Sequence, residues 1–172
     1  DGNSTTLVKD IIDGNESSEI RELTVFDGEL YFIAGKELWK SDGTSAGTTL
    51  VKDINSGSAN SSPTLLTNVK GTLFFRAYEG NSGQELWKSD GTSAGTSLVK
   101  DIRPGAGSSS QPTNLTNVNG TLFFSANDGT NGIELWKSDG TSAGTTLVKN
   151  ILPGASSSSP SYLTNVNGIL FF

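Results

Sequence analysis

The sequence predicts an all-β fold, a β-propeller of four-stranded antiparallel blades of about 48 residues each, with a β-solenoid as the alternative. Three observations lead there. The string ELWKSDGTSAGT stands unchanged at 37–48, 85–96 and 134–145. Trp39, Trp87 and Trp136 follow one another by 48 and 49 residues, a period long enough for four short strands. Gly, Ser, Thr and Asn crowd the stretches between short clusters of Leu, Val, Ile and Phe, and long runs of helix-forming residues are absent. Solenoid coils are shorter, roughly 20 to 30 residues, and lack repeated tight hairpins, so the propeller is preferred.

Each unit divides into four strands. The first is Leu-Thr-Asn-Val, at Leu66–Val69, Leu115–Val118 and Leu163–Val166, and degenerate at Leu23–Phe26. A Lys-Gly or Asn-Gly pair follows, which supplies positive φ for a tight hairpin. The second strand carries Leu-Phe-Phe (Thr72–Ala77, Thr121–Ala126); Leu73 and Phe75 point one way and Phe74 the other, so the strand is expected between two layers. The third is Glu-Leu-Trp-Lys-Ser, which runs into Ser-Asp-Gly-Thr-Ser-Ala-Gly-Thr. There Asp42, Asp90 and Asp139 are placed to accept backbone N–H bonds two residues on, and Gly43, Gly91 and Gly140 tolerate left-handed geometry. That turn closes onto a fourth strand, Thr-Leu-Val-Lys-Asp-Ile. Ser/Gly/Pro-rich links such as Asn55–Pro63 and Arg103–Pro112 then carry the chain to the next unit.

The expected units are therefore 1–12, the last strand of a preceding or shared blade; 13–54, blade 1; 55–102, blade 2; 103–151, blade 3; and 152–172, the first two strands of an incomplete blade. In blade 1 six residues separate Phe32 from Trp39, against eleven between Phe75 and Trp87, so its second-to-third-strand loop is trimmed. Three Glu-Leu-Trp strands stand against four copies of each other type. The expectation is an open edge after Phe172 and an unpaired strand at Leu7–Ile11, with self-association through the gap or continuation in a longer parent chain.

The string ELWKSDGTSAGT resembles the repeat family named for its Glu-Leu-Trp-x-x-Asp-Gly-Thr motif, found in long secreted bacterial proteins, notably cyanobacterial ones, over nearly the whole chain. Its Ser-Asp-Gly-Thr turn is similar to the Asp-box turn joining third and fourth strands of sialidase-type propeller blades. The resemblance implies an extracellular repeat module and no established chemistry.

Several function classes are excluded or disfavoured by composition. The net charge is −6 and the 12 cations are spread singly, which offers nucleic acid no basic patch. No apolar run reaches the length of a membrane span. Without Cys or His, thiolate chemistry and Ser-His-Asp catalysis are out. The recurring acids Glu37, Glu85 and Glu134 come once per unit, as scaffold residues do, so no catalytic residues are expected.

Two binding readings stand beside structural ones. Trp39, Trp87 and Trp136 either pack between sheets or stack on sugar rings. The loop residues Asn127, Asp128 and Asn131 join the tryptophans as the ligand-binding set of a lectin reading; with the Asp-Gly turns the loop either closes on itself or offers oxygen ligands to Ca²⁺, but no full ligand set is visible, so no metal or cofactor is assigned. Glycans are also candidate partners, and sequons fall at Asn3, Asn15, Asn60, Asn114 and Asn119. The expected function is a non-enzymatic extracellular, secreted scaffold, adhesin or assembly subunit; the alternative is a multivalent lectin with one weak site per blade.

Overall fold

The computed structural model describes residues 5–12, 14, 17–56 and 60–172. Among them the chain is all-β, with three four-stranded antiparallel sheets and one two-stranded sheet. Sheet 1 holds β1 (Arg21–Phe26), β2 (Glu29–Ala34), β3 (Glu37–Ser41) and β4 (Thr49–Lys52). Sheet 2 holds β5 (Thr64–Val69), β6 (Thr72–Glu79), β7 (Gly83–Ser89) and β8 (Ser97–Lys100). Sheet 3 holds β9 (Thr113–Val118), β10 (Thr121–Asn127), β11 (Ile133–Ser138) and β12 (Thr146–Lys149). The last pairs β13 (Thr164–Val166) with β14 (Ile169–Phe171). Each sheet runs in sequence order, and every ladder lies within one unit. A solenoid would pair successive coils, so that alternative does not fit. The four sheets do not close on themselves.

The first hairpins turn on Lys70-Gly71 and Asn119-Gly120, both residues of each pair at positive φ, which matches the right-handed twist of the flanking strands. Leu73 and Phe75 enter a core shared with Phe26, Tyr31 and Ile33 of sheet 1, while Phe74 enters a second core shared with Leu122 and Phe124 of sheet 3. Sheet 2 is thus apolar on both faces and sandwiched. Burying a Phe side chain contributes roughly 2–3 kcal/mol, so these two cores hold the sheets in series.

The first strands of successive sheets lie side by side. Asn117 Nδ2 donates to Asn68 O at 3.2 Å, and Asn165 Nδ2 to Asn117 O at 3.0 Å. Further out, Lys52 Nζ donates to Thr96 O and Lys100 Nζ to Thr145 O, each at 2.8 Å, so β4 and β8 each grip the turn of the following sheet.

Two expected strands come out differently. The fourth strand ends at its Lys, because the next Ile N–H turns from the ladder to a carboxylate: Ile102 N donates to Glu85 at 3.1 Å and Ile151 N to Glu134 at 2.9 Å. The segment Leu7–Ile11 is no strand, for it has no third strand to pair with among the described residues. It still takes the place of a fourth strand, since Lys9 Nζ donates to Thr48 O at 2.7 Å, as Lys52 and Lys100 do one and two units later. Residues 1–4 of that expected unit lie outside the described residues, as do the sequon asparagines Asn3 and Asn15.

Candidate functional site

The repeated turn is built by hydrogen bonds that consume its polar letters. Asp42 Oδ1 accepts from Thr44 N and Thr44 Oγ1, both at 2.8 Å. Gly47 N donates to Thr44 Oγ1 at 2.9 Å, Thr48 Oγ1 to Thr44 O at 2.7 Å, and Gly43 N to Ser41 Oγ at 3.1 Å. Asp90 with Thr92 and Asp139 with Thr141 repeat the pattern. Gly43, Gly91 and Gly140 sit at φ near +90, the left-handed geometry the turn requires. The bonds from Thr44, Thr92 and Thr141 hold the three Asp carboxyls below the ordinary carboxylate range.

The motif's Glu clamps the link that leaves its sheet. Glu37 accepts from Ser61 N at 2.9 Å and Ser61 Oγ at 2.5 Å. Glu85 accepts from Ser110 N at 2.7 Å and Ser110 Oγ at 2.5 Å, and Glu134 from Ser158 N at 3.0 Å and Ser158 Oγ at 2.7 Å. Burial pushes the Glu37 and Glu85 carboxyls above their usual range, outweighing these bonds. At Glu134, beside the two-stranded last sheet, burial also raises, but the bonds from Ser158 and Ile151 win and the carboxyl falls below its usual range. The clamping serines were not singled out from sequence. The available signal was positional, because Ser61, Ser110 and Ser158 each stand two residues before a proline.

The tryptophans divide. Trp87 and Trp136 are each 6% exposed and belong to the two inter-sheet cores, which closes their ring faces to a sugar. Their indole N–H groups have no acceptor among the described residues, so apolar packing holds them. Trp39 is half-buried.

The loop bearing Asn127, Asp128 and Asn131 satisfies itself. Asp128 Oδ1 accepts from Thr130 N at 2.8 Å and Asn131 N at 2.7 Å, its Oδ2 accepts from Asn131 Nδ2 at 2.6 Å, and Gly129 N donates to Asn127 Oδ1 at 2.7 Å. Asn150 Nδ2 ties the loop to the following link by donating to Asn131 Oδ1 at 2.8 Å. Among the described residues no group of three or more Asp or Glu side chains converges as a metal site. No helix among them is long and apolar enough to cross a membrane.

The concave feature of sheet 1 is apolar. A cleft of about 260 Å³ opens where the N-terminal segment crosses that sheet's outer face, lined by Leu7, Val8, Ile11, Leu23, Leu30 and Phe32. Leu30 and Phe32 are the counterparts of Leu73 and Phe75, which in sheet 2 are covered by a preceding sheet. The cleft is therefore a half-covered inter-sheet face rather than a site with converging polar groups. No family model, curated protein or solved structure matches the chain.

Proposed function

We propose that the chain is a non-enzymatic repeat module of the Glu-Leu-Trp-x-x-Asp-Gly-Thr type, its sheets the blades of an open β-propeller, acting outside the cell as a scaffold, adhesin or assembly subunit. The observation that carries this reading is the fate of the repeated string. Its Glu, first Ser, Asp and Thr side chains bond within the protein, and two of its three Trp rings are core. A motif whose chemistry is used up internally is an architectural device. The side-by-side first strands, with Lys52 and Lys100 reaching across at the outer strands, support a radial arrangement of blades. No cofactor, metal, nucleic acid or membrane insertion enters the proposal.

The lectin alternative is left with Trp39, the half-buried ring, and the self-closed Asn127–Gly132 loop, so it is the weaker reading. The test combines a glycan array, a panel of chromogenic hydrolase substrates and trypsin digestion of the native chain. The expected outcome is no glycan signal, no turnover, and survival in trypsin despite 12 Lys and Arg. Saturable sugar binding abolished by Trp39→Ala, or measurable hydrolysis, would overturn it.

A further inference from the structure

The repeated string spends its chemistry internally, so a site is to be sought where the units differ. Sheets 2 and 3 repeat letter for letter along most of their strands, and several of their differences gather in one crevice. It lies between the two sheets, where the link Arg103–Pro112 passes, and has a volume of about 150 Å³. The link is pinned on both sides: Gln111 N donates to Gln84 O of sheet 2 at 3.2 Å, and Asn127 N of sheet 3 donates to Ser110 O at 2.9 Å. Four lining residues are peculiar to this place. Arg103 stands where the other links have Asn55 and Leu152, and Gln111 where they have Ser62 and Ser159. Asn127 stands where sheet 2 has Tyr78, and Ile133 where it has Gln84.

Gly129 seats the arginine. A Cβ at Gly129 would come within 3.3 Å of Arg103 Nε and 3.4 Å of its Cγ, so the side chain lies along bare backbone. Asn55 meets the equivalent Gly80 in the same way, its Oδ1 3.6 Å from such a Cβ, so the seat recurs and the charge upon it is new. The donors gathered here lack acceptors. The ion pairs among the described residues are Arg21–Glu19 and Lys40–Glu29, which leaves the Arg103 guanidinium with no carboxylate. Asn127 commits its Oδ1 to Gly129 N at 2.7 Å, and its Nδ2 meets no acceptor among the described residues; the same holds for the side-chain amide of Gln111. Asp128, the neighbouring acid, spends both carboxylate oxygens on Thr130 and Asn131.

We propose that this crevice binds the carboxylate of a small aliphatic acid, with the Arg103 guanidinium on both oxygens, the Gln111 and Asn127 amides donating beside it, and Ile133 against the aliphatic stem. A guanidinium fork matches a planar carboxylate in two parallel bonds, and Ile133, 37% exposed, offers the stem an apolar wall that a sulfate would leave unused. The volume is well below the roughly 300–1,000 Å³ of pockets for drug-sized ligands, so the crevice holds a few heavy atoms and not a sugar ring. The inference goes beyond the scaffold reading and does not rest on it.

The test titrates sodium propionate into the ¹⁵N-labelled chain at constant ionic strength, with chloride as the balancing salt, and follows the Arg103 Nε–H and the Gln111 and Asn127 side-chain amides by NMR. All three should shift along one saturating curve with a Kd on the order of 1–10 mM, the range of a partly solvated ion pair. Arg103→Leu places in this link the residue that Leu152 supplies in the next, so the fold should hold and saturation should vanish. Gln111→Ser, which copies Ser62 and Ser159, should weaken binding about threefold to tenfold and decides the matter should the first variant not fold. Shifts that stay linear to about 100 mM, saturation that survives Arg103→Leu or is unchanged in Gln111→Ser, or sulfate binding as tightly as propionate would each overturn the proposal.

Discussion

Glu85→Ala is the sharpest probe of how the repeat is fastened. Its carboxylate is fully covered and accepts from three donors: Ile102 N at 3.1 Å, Ser110 N at 2.7 Å and Ser110 Oγ at 2.5 Å. Truncation strands those donors in a buried place, at about 1–2 kcal/mol each, which sums to roughly 3–6 kcal/mol. Part of this is returned. Burial raises the Glu85 carboxyl, so the folded chain no longer has to hold that charge out of water. The expected net loss is about 3–4 kcal/mol, or a fall in Tm of roughly 6–15 °C for a chain of this size. Ser110→Ala removes one hydroxyl and should cost about 1–2 kcal/mol. Since both variants break the same Ser110 Oγ bond, the double variant should fall short of their sum by about 1–2 kcal/mol. Urea unfolding followed by tryptophan fluorescence measures all four proteins. A Glu85→Ala chain within about 1 kcal/mol of the parent, with strictly additive Ser110→Ala, would refute the clamp.

Three more outcomes are expected. Glu85→Gln and Glu134→Gln should show opposite pH trends in urea midpoints. The raised Glu85 carboxyl contributes stability below its unfolded value near 4.5 and loses it as pH rises through the folded value, so the Gln penalty shrinks upward; the lowered Glu134 carboxyl contributes above 4.5 and loses it as pH falls, so its penalty grows upward. Trends of equal sign would contradict the opposed environments. Gly43→Ala and Gly91→Ala share a left-handed φ costing about 1 kcal/mol, but a Cβ on Gly91 overlaps the Tyr31 hydroxyl while one on Gly43 meets open space. Gly91→Ala should melt lower by thermal denaturation, and equal Tm values would show that the Tyr31 contact is irrelevant. Chelation by EDTA should leave Tm unmoved; a drop of more than about 5 °C restored by Ca²⁺ would establish a metal in the turns.

The strands were legible because period-2 alternation and Asn-Gly or Asp-Gly turns act locally. Leu73-Phe74-Phe75 announces bulk on both faces of β6, and Asp90-Gly91 announces a turn, whatever surrounds them. Strand limits were less legible where a side chain competes with the ladder. Nothing in Lys100-Asp101-Ile102 says that the Ile102 amide leaves the sheet for Glu85, a residue 17 positions back. The clamp was harder still, since Ser108, Ser109 and Ser110 are chemically equal in sequence. Only their distance to Pro112, compared with the same distance in the other links, singles out Ser110.

The tryptophans show why identical letters do not make identical sites. Trp39, Trp87 and Trp136 occupy the same place in the same twelve residues, yet burial of each ring depends on the sheet that precedes its own. Sheet 1 covers Trp87 and sheet 2 covers Trp136, whereas among the described residues no sheet precedes that of Trp39, which stays half-buried. The differences among units therefore carry more information than their identities. Glu29 stands where Thr72 and Thr121 stand later, and its carboxylate takes Lys40 in a 3.0 Å ion pair; Lys88 instead crosses to Gly140 O at 2.8 Å. A half-buried surface pair of that kind adds about 0–1 kcal/mol, while the crossing lysine joins two sheets. In unit 1 the lysine is turned inward onto its own sheet, and the grip on sheet 2 is left to Lys52. Sheets 1 and 2 are thus joined by one such lysine where sheets 2 and 3 are joined by Lys88 and Lys100, so amide exchange in β2 should outrun that in β6 and β10.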